Sequence, residues 1–349
     1  NGIGNDGEVS GWSSSFYKNI INLPSNVSIG TTSLVANKHI STTVVRSCID
    51  SYASWFAVAS PHLETSLFMI AGTSSCYMYG TTISDTRIPG VWGPFDTILD
   101  NRGDFSVYAA GQSCTGKLIE HLFESHPCAR KILKDGADIY QVLEQTIRDI
   151  EKNNGLSIHI LTKDMFFYGD YEGNRTPFAD PRIKGSFIGE STDTSMLNLT
   201  YKYICILEFL SFQTKLIIDT FQNENSNIHI KELRISGSQA KNERLLSLIS
   251  LVNNGVAIIK PKENVDMMGI KGAYVLAKSA KEKKQLADVI TERDISNDSE
   301  KFESLAEYRL GNDSILLRKL LCVKYHIHLD MAKQQKRYHK LVDEVFQHL

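Results

Sequence analysis

The sequence predicts an α/β protein built on an open, at least partly parallel sheet, and two stretches carry that reading. From Ile228 the chain runs strand ("HIKELRIS"), glycine turn ("GSQAKN"), helix ("ERLLSLISLVNN"), strand ("GVAIIK") and helix ("MGIKGAYVLAKSA"). A strand that returns to its sheet through a helix pairs in parallel. Upstream, "SLFMIAGTSSCYMYG" is apolar, breaks at a glycine and three hydroxyl residues, then resumes, as a strand, tight turn and strand do. With 349 residues, 42% hydrophobic and 22% charged, the chain can bury a large core and is long enough for more than one subdomain.

The remaining elements follow in order. A Gly- and Ser-rich opening over residues 1–15, without an initial methionine, reads as the flexible leader of a chain cut from a longer polypeptide. "VSIGTTSLVA" and "ISTTVV" are rich in β-branched residues and read as strands. "CIDSYASWFAVAS" continues as a strand end and then a helix, which places Asp50 at the junction. After the hairpin come a loop, "IPGVWGPFDTIL", and a helix from about Gln112 to Glu124. A second helix, Asp138 to Asn153, carries Ile139, Leu143 and Ile147 at helical spacing and ends near Gly155. "MFFYGDYEGNRTPFADPRIKG" is a strand running into a turn-rich loop, ahead of a long helix from about Thr194 to Asn223. One domain is expected over 16–280, followed over 281–349 by a charged linker, "DISNDSEKFES", and C-terminal amphipathic helices.

Composition excludes several classes. A net charge of −2 supplies no long-range pull on nucleic acid or an anionic membrane surface, and no arginine stripe is interleaved with aromatics. The lipophilic stretch Met196 to Phe221 is interrupted by Lys202, Glu208 and Lys215 and reads as a buried soluble helix. Six scattered cysteines, with no C-x-x-C pair and no signal peptide, read as reduced thiols of a cytoplasmic protein. The paired His326 and His328 of "YHIHLD" lack a third ligand nearby, so no protein-only metal site is expected.

Several strings then stand in a telling order: "AGTSSCYM", "PGVWGP", "AAGQSCTGKLIEHL", "GNRTPFADP", "ISGSQAKN" and "MGIKGAYVLA". Together they resemble the C-terminal half of FGGY-type carbohydrate kinases, most of all the D-ribulokinase-like branch, over most of Val44 to Ala277. The resemblance implies an actin-like, ribonuclease-H-like ATPase domain with a mixed sheet flanked by helices. It also implies a partner domain of similar topology, N-terminal to this one, that closes over ATP and a sugar. No aspartate-glycine-threonine phosphate loop of such a first domain occurs here, so the chain resembles the second half alone, expected to be inactive by itself. An exposed cleft face further predicts self-association.

On the same resemblance Asp50 matches the catalytic base that accepts the hydroxyl proton, although by local sequence it could equally cap its helix. Gly72, Thr73 and Ser74 match a turn facing the ATP phosphates, which by pattern is also an ordinary hairpin turn. Gly111 and Gln112 stand just ahead of a helix whose free N–H groups would point to the nucleotide, or which is merely capped. Gly237 and Ser238, with Asn242, match the adenosine turn. Ser236 stands where the family commonly has glycine, so a side chain there could crowd the base. Arg175 of "GNRTPFADP" either neutralises charge in the cleft or belongs to a plain turn. Gly272 and Ala273 are expected to pack on the sheet. The stretch "KGSFIGESTDTSMLNLTYKYIC" keeps the family signature only in part, departing at Glu190, Lys202 and Cys205. Mg²⁺ is expected to travel with ATP rather than sit in a protein cage. The expected activity is phosphorylation of D-ribulose or a related ketopentose. The rival readings are a glycerol or xylulose kinase, and a catalytically inactive nucleotide-binding or regulatory domain.

Overall fold

The computed structural model describes residues 2–3, 9–10, 48–82, 87–100, 102–224, 227–292, 298–305 and 314–346. The strands expected over 27–36 and 40–45 lie outside the described residues, as does most of the 1–15 opening, of which β1 (Gly2–Ile3) and β2 (Val9–Ser10) form a short antiparallel pair.

A seven-stranded mixed sheet organises the rest. Helix α1 (Asp50–Val58) leads into the antiparallel hairpin of β3 (Ser66–Ala71) and β4 (Ser75–Thr81). Next come β5 (Trp92–Phe95) and β6 (Ser106–Gln112), then α2 (Gly116–Ser125), α3 (Pro127–Lys134), α4 (Ile139–Asn154) and the short α5 (Ile158–Leu161). β7 (Phe166–Tyr168) and β8 (Ser186–Ile188) make a separate pair, followed by the long α6 (Met196–Glu224). The expected β-α-β-α run is present as β9 (Glu232–Ser236), α7 (Glu243–Val252), β10 (Ala257–Pro261) and α8 (Met268–Glu282). α9 (Leu286–Thr291), α10 (Asp298–Lys301), β11 (Phe302–Leu305) and α11 (Ser314–Phe346) follow.

The strand order is β11-β10-β9-β3-β4-β6-β5, with β3, β9 and β10 parallel and the remaining pairs antiparallel. Period-2 alternation splits the sheet between two cores. Leu67, Met69, Ala71, Tyr77 and Tyr79 enter the larger one, which α6 crosses; Phe68, Ile70, Cys76 and Met78 face the smaller one under α1, α8 and α9. Helix α4 is bounded as its sequence requires: Asp138 accepts from the Tyr140 and Gln141 N–H groups, and Gly155 closes it at φ +66°.

Four expectations change. The "PGVWGP" loop contains β5, an edge strand, which is where a sheet tolerates Pro94. The expected linker "DISNDSEKFES" ends in β11, which pairs with β10, so the sheet runs past residue 280. The helix expected from Gln112 begins at Gly116, because Gln112 is still paired with Ser75 in the sheet. Gly272 packs not on the sheet but on α1, where a Cβ would lie 1.6 Å from the Ala53 carbonyl oxygen, and Ala273 is exposed. His326 and His328 lie on α11, the first exposed and the second buried.

Candidate active site

The parallel strands set the location. In open α/β sheets ligands gather outside the carboxyl ends of such strands. Here β3 ends at the Gly72–Ser74 turn and β9 at Gly237. Helix α1 precedes β3 and runs back over it, so its first residue, Asp50, reaches the same end.

The Gly72 turn is a hairpin with an unusual division of its polar groups. All three carbonyls are used within the fold. Gly72 O accepts from Gly116 N–H at 2.9 Å, Thr73 O from Thr115 and Lys117 N–H at 2.9 and 3.1 Å, and Ser74 O from Gly72 N–H at 3.0 Å. The N–H and hydroxyl groups of Thr73 and Ser74 engage no partner among the described residues. The turn therefore shows donors outward, a surface suited to phosphate oxygens. This arrangement also corrects the expectation for α2, because its first N–H groups are spent on the turn rather than left for a nucleotide. Gly72 itself needs no left-handed backbone; its φ is outside that region. The glycine that matters is Gly116, whose missing Cβ would sit 2.8 Å from Gly72 O.

Gly237 does need its φ of +95°, and a Cβ there would lie 2.5 Å from Ala71 O, so the β9 turn is pressed against the end of β3. Ser238 beside it is exposed. Asn242 is committed to structure: it caps α7 by accepting from Leu245 N–H at 3.1 Å and donates to Tyr203 Oη at 3.0 Å. Ser236 is the last residue of β9, paired with Ile70 and fully buried, so it neither enters the turn nor takes a positive φ.

Asp50 is the first residue of α1, one past the capping position. Its Oδ1 accepts from Ser51 N–H at 2.8 Å, and it forms no ion pair among the described residues. An exposed, unpaired carboxylate at this position is available to a substrate. It also acts at a distance on Cys76 of β4: burial pushes that thiol up, the Arg175 cation opposes the rise, and the Asp50 charge adds to it.

Gly111 and Gln112 have another role than the one expected. Gly111 N–H donates to Thr176 Oγ1 at 3.1 Å, and that hydroxyl donates to Gly90 O at 3.0 Å. Gln112 Nε2 donates to the buried Asp170 at 2.9 Å, and Asn174 Nδ2 donates to the same carboxylate at 2.7 Å. Burial pushes the Asp170 carboxyl up against those bonds. The strings "PGVWGP", "AAGQ" and "GNRTP" are thus one hydrogen-bonded cluster beside the cleft. Sequence periodicity carries no signal for this cluster, because its members are far apart in sequence and its strand ends look like loop.

The comparison that decides the family is a match of residues 67–280 to the FGGY family of carbohydrate kinases, C-terminal domain. The chain belongs to that family. It is 32% identical over 259 residues, 67% of this chain and 35% of the relative, to a D-ribulokinase of Saccharomyces cerevisiae. It is 26% identical to an FGGY carbohydrate kinase domain-containing protein of Xenopus laevis, over 86% of this chain and 54% of that relative. The chain therefore spans about a third to a half of these FGGY relatives' length. A xylulose kinase structure from Lactobacillus acidophilus superimposes with a TM-score of 0.53 at 16% identity, covering 83% of this chain and 52% of that one. The shared fold is actin-like, and in this chain it is carried by the seven-stranded mixed sheet and its flanking helices. Of the residues expected to depart from the FGGY signature, Lys202 pairs with Glu190 at 2.8 Å and Cys205 is buried in the larger core.

Proposed function

We propose that this chain is the nucleotide-binding and base-bearing half of an ATP-dependent kinase. The acceptor is a ketopentose, D-ribulose or a close relative, phosphorylated at its terminal hydroxyl. The observation that carries the reading is the donor-only Gly72–Ser74 turn at the sheet end that also presents the unpaired Asp50. The N–H and hydroxyl groups of Thr73 and Ser74 hold phosphate oxygens, Gly237 and Ser238 border the nucleoside, and Asp50 takes the proton of the attacking hydroxyl. Mg·ATP, when bound, supplies the phosphoryl group and the metal charge between its phosphates. Gly111 and Gln112 shape the acceptor side instead of touching the nucleotide. D-Ribulose is favoured by the yeast relative, whose name states that substrate. Six free cysteines suit a reducing cytoplasm, and among the described residues no helix is long and apolar enough to cross a membrane.

Because the opposite wall of the cleft belongs to an N-terminal domain in this reading, the half chain is inactive alone. Sugar-dependent ADP release by the intact polypeptide, measured with D-ribulose, D-xylulose and glycerol, tests the proposal. The highest kcat/KM is expected with D-ribulose. A preference for glycerol or D-xylulose would replace the substrate; no release with any acceptor, while Mg·ATP still binds, would make this a regulatory nucleotide-binding domain.

A further inference from the structure

A cavity of about 220 Å³ opens between α4 and α7, and residues of α5 and α11 complete its wall. It shares no residue with the turns of the candidate active site. Glu144, Arg148 and Glu151, spaced four and three apart, face it from α4, and Arg244, Ser247, Leu248 and Leu251 face it from α7. At one end Arg244 and Glu144 tie the two helices together by a bidentate ion pair whose parallel bonds are each 2.9 Å. At the other end Glu151 Oε1 accepts from Ile158 N–H at 3.0 Å.

His159 distinguishes this cavity from an ordinary crevice. It is only 6% exposed yet lines the space, and its Nδ1 is held by Glu208 at 2.7 Å, with the buried Lys324 paired to the same carboxylate. A carboxylate partner fixes a proton on Nδ1, so the neutral ring keeps a lone pair on Nε2, which has no hydrogen-bond partner among the described residues. Burying an ion triad costs desolvation that an apolar trio would not, and its effect here is to hold one imidazole in a fixed tautomer and orientation. Beside it the half-buried Ser157 hydroxyl and the second Glu151 oxygen are also unpartnered among the described residues. One turn back along α4 the exposed Arg148 forms no hydrogen bond or ion pair among those residues, and neither does the Ser247 hydroxyl on α7. Leu248, Leu251 and Leu317 are buried and make the apolar part of the wall.

We propose that this cavity binds a small zwitterion, an α-amino acid with an aliphatic side chain. An ammonium group has three N–H donors, and the Glu151 carboxylate, the Ser157 hydroxyl and His159 Nε2 supply three acceptors at one end of the space. The Arg148 fork takes the carboxylate, joined by the Ser247 hydroxyl. The three leucines cover the aliphatic side chain. A phosphate ester suits the same walls poorly: once Arg244 and Glu144 cancel, one guanidinium stands against the carboxylates of Glu151 and Glu243, which repel a dianion. The cavity is also smaller than the roughly 300–1,000 Å³ of a site for a drug-sized ligand, so a nucleotide is excluded by size.

Isothermal titration calorimetry of the intact polypeptide tests the assignment without reference to turnover, so its outcome is independent of the kinase reading. The probes are L-leucine, L-valine, isocaproate, which is L-leucine without its ammonium group, isoamylamine, which is L-leucine without its carboxylate, and inorganic phosphate. L-Leucine or L-valine binds with a Kd of about 1 mM or tighter, and isocaproate, isoamylamine and phosphate bind at least about tenfold more weakly. Arg148→Gln weakens the amino acid about tenfold and leaves isoamylamine within about twofold of wild type; Ser157→Ala weakens both amines. Ser247→Trp, which fills the space, abolishes binding. Arg148 is exposed and Ser157 half-buried, so these two variants are expected to fold, which melting temperature checks. No binding of either amino acid overturns the proposal. Binding that neither Arg148→Gln nor Ser157→Ala changes overturns the location, and phosphate binding tighter than L-leucine overturns the ligand class.

Discussion

Gly237 shows how one residue can hold two strand ends in register. Its backbone lies where only glycine is comfortable, and the Ala71 carbonyl occupies the space beside it. Gly237→Ala is expected to cost about 1–3 kcal/mol of stability, read by urea denaturation, and to weaken Mg·ATP binding. His328 makes a different residue-scale prediction. It is buried among aromatic rings with neither ring nitrogen hydrogen-bonded among the described residues, and burial pushes its pKa down to about 3 from an ordinary 6.5. Below 6.5 the unfolded chain binds a proton that the folded chain refuses, so stability falls as pH drops from about 6.5 toward 3. The slope is about 1.4 kcal/mol per pH unit. His328→Phe is expected to reduce the loss between pH 7 and pH 5 by about 2 kcal/mol. An unchanged pH dependence in denaturation curves would refute this.

Among elements, α2 and the β3–β4 hairpin form one device, since the helix start takes the Gly72 and Thr73 carbonyls and leaves the Thr73 and Ser74 donors exposed. Gly116→Ala would drive a methyl group against the Gly72 carbonyl. The expected result is about a tenfold weaker Mg·ATP Kd by calorimetry with an unchanged sugar KM; unchanged ATP binding would separate the helix from the site. The hairpin, α4 and the β9–α8 run were legible because each has a period and a punctuating residue, such as Asp138 and Gly155 around α4. β5 and β11 were not, because each is a four-residue edge strand, one with an internal proline and the other inside a charged stretch. Helix α2 starts four residues beyond its expected position, since the small and polar run "AAGQSCTG" fits a strand end and a helix start equally well. Asp50 and Gly237 stand at local strand–helix junctions that the sequence shows, whereas the meeting of Gly111, Trp92 and Arg175 exists only once two strands and a distant loop come together.

Over the whole molecule, α11 is tied to the kinase core by buried charge as well as by Leu317, Leu321 and Tyr325. Lys324 pairs with Glu208 of α6 and donates to Thr162 O at 3.1 Å, while His159 holds the other Glu208 oxygen at 2.7 Å. Burial acts to raise the Glu208 carboxyl, and these partners outweigh it and hold it below its usual range. Lys324→Met leaves that carboxylate short of its cation and is expected to cost about 3–5 kcal/mol, read as a lowered urea midpoint. The smaller core matters to chemistry more directly, because Gly272 lets α8 sit against α1 and so fixes where α1 carries Asp50. The account rests on that carboxylate serving as the proton acceptor beside a phosphate-binding turn. Turnover of Asp50→Asn in the intact polypeptide, measured alongside its Mg·ATP Kd, tests this most directly. The account predicts a kcat lowered about 10²–10⁴-fold with ATP affinity within about twofold of wild type. A kcat close to wild type would contradict it.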